Sequence, residues 1–194
     1  MIARKLILLA AAALAVALAS SALAEVVISE VDYDQPSTDT AEWVELYNSA
    51  ASPVTLSGID MVFLSAAGCS EYNRINLDGI TIAGGGFVVI GNHACAVTNG
   101  GLPASNAIQN GAPDTIVLED RGSATVLSGV EYENTGAATC GGTATTAADG
   151  TVADTSIQLC SGIWELAPST PCAPPACGAV AIDAASWGSV KGRF

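Results

Sequence analysis

An all-β fold, a sandwich or a barrel, is predicted for this chain, and three observations carry the prediction. After residue 24 no stretch shows the apolar period of a helix. Short apolar runs recur instead at regular spacing, punctuated by Gly and Pro. The clearest of them, Ala41-Glu42-Trp43-Val44-Glu45-Leu46-Tyr47-Asn48, alternates polar and apolar residues at period two. Its Trp, Val, Leu and Tyr favour extended backbone, and the following Ser49, Ala50, Ala51, Ser52 and Pro53 break it into a turn.

The first 24 residues lie outside that fold. Arg4 and Lys5 precede an apolar run from Leu6 to Leu18, and Ala22-Leu23-Ala24 is an A-x-A cleavage pattern. Residues 1–24 are read as a Sec-type signal peptide cut before Glu25. The apolar core is short for a retained anchor, which needs about 20 residues. Residues 25–133 then form the sandwich, 134–180 a Gly-, Thr- and Pro-rich extension, and 181–194 a separate tail.

In order, Val26-Val27-Ile28-Ser29-Glu30-Val31 is the first strand, and Asp32 to Thr40 is an acidic loop of turn formers. The strand at 42–47 follows. Val54 and Leu56, then Ile59, Met61 and Phe63, predict a short strand, a bend at Ser57-Gly58 and a further strand. Arg74 to Leu77 and Ile80-Thr81-Ile82, about the Asp78-Gly79 turn, read as edge or hairpin structure. Phe87-Val88-Val89-Ile90 reads as a fully buried strand, and 91–113 as a long surface loop. Residues 114–118 and 124–132 make a hairpin about a five-residue loop. Beyond Asn134, Ser156 to Cys160 and Gly162 to Leu166 form a small terminal hairpin, and four prolines at 168, 171, 174 and 175 force an extended segment.

Charge and cysteines narrow the setting. The whole chain carries −13; cleavage removes two cations and no acid, so the exported chain carries −15. That balance excludes nucleic acid, whose affinity comes from Lys and Arg, and disfavours an anionic membrane. Six cysteines at 69, 95, 140, 160, 172 and 177 in an exported chain form a disulfide framework. Nearest-neighbour order gives the expected bridges 69–95, 140–160 and 172–177, each worth about 2–4 kcal/mol. No C-x-x-C pair accompanies the single histidine, His93, so a zinc site is not expected.

The ordered series Val27-Ile28-Ser29-Glu30-Val31, Glu42 to Asn48, Val54-Thr55-Leu56-Ser57-Gly58, Ile80-Thr81-Ile82, Gly86 to Ile90 and the pair at 114–132 resembles the lamin tail domain. The resemblance covers about residues 26–133 and implies an immunoglobulin-like β-sandwich serving as a binding or assembly module, with no shared catalytic residues. Thr151 to Pro171 is similar to the extension that follows the domain in bacterial relatives. There a Thr-Pro-Gly often appears; here Thr170-Pro171-Cys172 puts a cysteine in the glycine's place, where a disulfide would pin the turn.

No nucleophile elbow, metal-ligand pair or phosphate loop is present, so the protein is not expected to be an enzyme. Glu42 and Glu45 are an odd number of residues apart and point to opposite faces of their strand. Asp32, Asp34, Asp39 and Glu42, within one turn-rich loop, are the candidate calcium ligands, against a reading as solvated charges in an acidic protein. Val44 and Leu46 face the core. Trp43 and Tyr47, on the other face with Glu45, form either an exposed patch suited to sugar or protein, or a face covered by the 134–166 extension, the favoured reading. The function expected is an extracellular, non-catalytic module at the cell surface with an unknown protein or glycan partner and no membrane span after cleavage. A calcium-dependent adhesin or carbohydrate-binding module is the alternative, and a secreted hydrolase a more distant one. The Trp187 to Phe194 tail, with both of its cations, is read as a peptide for an export or anchoring partner.

Overall fold

The computed structural model describes residues 26–65, 68–95, 97, 101–111 and 113–177. The signal-peptide and tail expectations fall outside these residues. Twelve strands and no helix occur among them. In chain order they are β1 (Val26–Asp32), β2 (Trp43–Asn48), β3 (Val54–Thr55), β4 (Ile59–Ser65), β5 (Ser70–Asn76), β6 (Thr81–Ile82), β7 (Phe87–Gly91), β8 (Asp114–Asp120), β9 (Thr125–Tyr132), β10 (Thr143–Ala144), β11 (Thr155–Cys160) and β12 (Ile163–Pro168). One sheet runs β12-β11-β1-β2-β7, the other β10-β9-β8-β4-β5, and β3 pairs with β6 as a ribbon. The predicted all-β sandwich is what forms.

Alternation in each sheet builds the core. Ile28, Val31, Val44, Leu46 and Ile90 of the first sheet join Met61, Phe63, Ile116, Leu118 and Val130 of the second, all essentially buried. Each is worth roughly 1.5–3 kcal/mol by burial. In β1 the alternation slips. A bulge between Ile28 and Glu30 shifts the register against β2, so Ile28 and Val31, three apart, both enter the core. The Ile28 N–H donates to Ser128 Oγ of the second sheet at 3.1 Å. Glu30 is thereby turned to the outer face, opposite Glu45.

Four expectations are sharpened or changed. Of the two readings for Arg74 to Ile82, edge and not hairpin is what forms: β5 is an edge strand paired with β4, and β6 pairs with β3. The turn at Asp78-Gly79 carries the chain from the second sheet to the ribbon, with Gly79 at φ 84. Phe87 and Val88 are only half-buried, because β7 is an edge strand paired on one side to β2. The five-residue loop predicted at 119–123 shortens to a turn at 121–124, since β8 continues two residues into it. Finally, β11 and β12 form the expected hairpin, and it belongs to the first sheet. β11 pairs antiparallel with β1, placing Ile157 and Trp164 in the common core.

The disulfide pairing is also corrected. The bridges are Cys69–Cys140, Cys95–Cys172 and Cys160–Cys177, and no cysteine is free. Strand ends explain them. β4 ends at Ser65 opposite Asp114, which pairs with Tyr132 at the end of β9. The connections holding Cys69 and Cys140 therefore leave the same end of the second sheet. The 71- and 77-residue separations of the first two bridges restrain the unfolded chain by about 4 kcal/mol each in the loop-entropy account.

Candidate functional site

The sequence places a row of polar residues across the outer face of the first sheet. Register puts Gln158 of β11 beside Glu30 of β1, Glu30 beside Glu45 of β2, and Glu45 beside Val89 of β7. Both glutamates and Gln158 are fully buried, because residues 169–177 lie over them as a strap. The Thr170 N–H and hydroxyl donate to Glu30 at 2.7 and 2.8 Å. The Cys172 N–H donates to Glu45 at 2.7 Å, and the Ala176 N–H to Gln158 Oε1 at 2.8 Å. From the sheet side, Ser156 donates to Glu30 and Ser29 to Glu45.

Burial sets the electrostatics of this row. It pushes the Glu45 carboxyl up to about 8, with the charge of Glu30 adding to the effect. Glu30 is raised by the same cause against the pull of its four hydrogen bonds. Asp149 reaches about 7 through burial; it accepts the Tyr33 and Asp34 N–H groups and ties the 145–150 segment to the end of β1. At about 8 the Glu45 carboxyl holds a proton at neutral pH, a trait of general acids. Here the strap occupies the face a substrate would need.

The four candidate calcium ligands each accept hydrogen bonds from neighbouring segments. Glu42 accepts the Ala107 and Ile108 N–H groups at 2.7 and 2.8 Å, fastening the long β7–β8 loop to the sandwich. Asp39 accepts from Gln35 N, Asp32 from the Gln35 amide. Asp34 and Asp39 share the Asn110 amide at 3.1 and 2.8 Å. Among the described residues no three His, Cys, Asp or Glu side chains converge as a metal site. Glu42 and Glu45 do serve opposite faces.

Replacing Glu42 with Ala is expected to cost about 2–4 kcal/mol, because two buried N–H groups lose their acceptor. Chemical denaturation measures it, and a loss under about 0.5 kcal/mol, the range of an ordinary surface change, refutes the clamp.

Trp43 is buried, with His93 of the β7–β8 loop 6.0 Å from its ring. It sits close because Gly91, at φ 139, lies against it; an added Cβ would fall 2.7 Å from Trp43 Cα. Tyr47 stays half-buried, stacked on Phe87 at 4.6 Å. On the face these residues share, the strap lies over Glu45 and His93 of the β7–β8 loop lies beside Trp43. On the second sheet, Asp60 gathers Arg74 and Arg121 at 2.9 and 2.6 Å. Hydrogen bonds from Arg121, then Arg74, hold its carboxyl below the usual range. Gln158 and Asp149 were given no role from the sequence, Glu30 stood only as part of the first strand, and Thr170 only in the Thr170-Pro171-Cys172 match. A glutamate inside the apolar run 26–31 was the one visible signal.

The match to known proteins agrees with this architecture. Residues 19–134 match the family model described as Lamin Tail Domain. A search of curated proteins finds no match. The matched span holds β1 to β9 and stops short of the strands that complete the first sheet. With well over half the sequence matched across a two-sheet sandwich, the chain belongs to the lamin tail domain family.

Proposed function

We propose that this is an exported, non-catalytic lamin tail module that binds a protein or glycan partner at the cell surface. One observation carries the reading. The carboxylates with the most unusual environments, Glu30, Glu42, Glu45 and Asp149, each hold backbone N–H groups of distant segments. Groups used this way build a rigid scaffold rather than a reaction centre. Three disulfides support an oxidising compartment, and the A-x-A pattern before Glu25 supports export.

The test immobilises the mature protein and probes it with cell-envelope extract and a glycan array, beside a panel of glycosidic, phosphodiester and peptide substrates. Saturable binding without turnover is the expected result. Turnover abolished by a single point substitution establishes a hydrolase and removes the proposal.

The calcium-dependent adhesin remains the competing reading, favoured by the convergence of Asp34 and Asp39 on one amide. A cation bound there at a hundredfold excess over its Kd would add about 2.7 kcal/mol. Millimolar calcium is expected to leave the melting temperature unchanged. A rise that Asp34→Ala removes would transfer the function to calcium-dependent adhesion.

A further inference from the structure

We propose that the Cys95–Cys172 bridge is a thiol–disulfide exchange site for an external thiol, with Cys172 as the sulfur attacked and Cys95 as the leaving group received by His93. The three bridges differ in access. Cys95 and Cys172 are both exposed, whereas Cys140 is 8% and Cys160 7% exposed. Cys69 is exposed as well, but the thiolate leaving from it would form on buried Cys140; exposure at both ends lets the attacked sulfur be reached and the leaving thiolate be solvated, so this bridge opens first.

His93 decides the direction. Its Nδ1 accepts the Cys95 N–H at 3.3 Å and lies 3.1 Å from Cys95 Sγ. No histidine stands near the other two bridges, since the chain has one. A proton taken up at Nδ1 would turn it from accepting the Cys95 N–H to donating to the departing sulfur, and a thiolate stabilised in this way leaves faster. The loop is held for this. The Asn92 N–H donates to Glu42 O at 2.9 Å and its amide to Pro103 O at 2.7 Å, while Trp43 lies against the imidazole.

The chemistry balances in two exchanges. A thiolate RS⁻ attacks Cys172 Sγ; the S–S bond breaks and Cys95 departs as thiolate, leaving a mixed disulfide R–S–S–Cys172. A second thiol, or the second thiol of a dithiol, attacks that sulfur on R. Cys172 then leaves as thiolate, R–S–S–R is released, and both cysteines are reduced. The reductant is a small-molecule or protein thiol of the extracytoplasmic space.

Opening the bridge separates the strap from the β7–β8 loop. Cys160–Cys177 still holds its far end, and Glu30 and Glu45 still accept from Thr170 and Cys172. The reduced form therefore keeps its fold. Cys172 sits at φ 62, a left-handed conformation that costs an L-residue roughly 1–2 kcal/mol; it is the position where the family resemblance has glycine.

The test incubates the full mature protein in graded glutathione or dithiothreitol, quenches with acid, alkylates with a mass tag and maps the peptides. Cys95 and Cys172 should be tagged at lower reductant than the other four, with the far-ultraviolet spectrum unchanged. The glutathione adduct should sit on Cys172. His93→Ala should slow exchange about three- to tenfold without lowering the melting temperature of the oxidised protein; His93→Gln, which keeps the size, serves if the alanine variant misfolds. Earlier opening of Cys69–Cys140 or Cys160–Cys177 overturns the proposal. So does an adduct on Cys95, or exchange at the wild-type rate in the histidine variants.

Discussion

A chain ended after Glu133, close to where the family match stops, is expected to show no cooperative thermal unfolding. It retains β1 to β9 but loses the two strands that pair beyond β1. β1 then becomes an edge with its row of N–H and C=O groups unpaired. Ile157 and Trp164 leave the common core, a loss of about 3–5 kcal/mol at the lower range for two large side chains. Glu30 loses Ser156, Gln158 and Thr170, and Glu45 loses the Cys172 N–H. Each would then be a buried or newly wetted charge without its partners. All three bridges lose one or both cysteines, removing on the order of 8 kcal/mol of restraint from the two long loops alone. Against a typical total of about 5–15 kcal/mol, the deficit takes up most or all of what a domain of this size holds. Differential scanning calorimetry decides. A sharp transition within about 10 °C of the full mature chain, a shift worth only about 2–4 kcal/mol, would show that residues 26–133 fold alone.

Stability is expected to fall as pH rises from 5 to 8. The carboxyl of Glu45 is raised to about 8 from an ordinary 4.5, Asp149 to about 7 and Asp32 to about 6. Between the unfolded and folded values, the folded protein binds a proton that the unfolded chain has released. The stability from that proton is complete below the unfolded pKa and is lost as pH climbs through the folded one. Each unit is worth about 1.4 kcal/mol, so Glu45 alone gives a loss of about 4 kcal/mol across this window. The melting temperature should drop by about 5–15 °C. On the acid side the sign reverses. Asp60, held low by Arg121 and Arg74, contributes stability that disappears only as pH falls through its depressed value. The optimum is therefore near pH 5. Glu45→Gln keeps an acceptor for the Cys172 N–H while removing the titration, and should flatten the slope between pH 6 and 8. A wild-type profile flat over 5 to 8, or an unchanged slope in the glutamine variant, contradicts the assignment.

Much of the sandwich was legible in the residues themselves. Val44 and Leu46 facing inward, with Trp43, Glu45 and Tyr47 turned outward, follow from the two-residue period of an extended chain. That Glu42 and Glu45 act apart follows from the same geometry. The ordered apolar runs through Val27 to Tyr132 were specific enough to identify the family before any coordinates. The role of the acidic loop was not legible. Asp34, Asp39 and Glu42 have the composition of a cation site, and only the folded loop shows that Asn110, Ala107 and Ile108 take up their oxygens.

By itself, then, the sequence determined what short-range geometry determines: extended backbone, the turns at Gly and Pro, which residues of a strand share a face, and a disulfide-bonded setting for six cysteines. The tertiary structure decided everything that joins segments far apart in the chain. Asp78-Gly79 is a turn either way, yet whether it closes a hairpin or links two sheets depends on β4 and β3 having first claim on the flanking strands. Neighbouring cysteines along the chain look like partners, but a sandwich brings strand ends together across its sheets, so Cys69 meets Cys140 and Cys95 meets Cys172. Glu30 becomes a buried clamp because the bulge after Ile28 turns it outward and a strap 140 residues later covers it. Local propensity acts over a few residues, whereas pairing and burial are settled by the free energy of the whole assembled core.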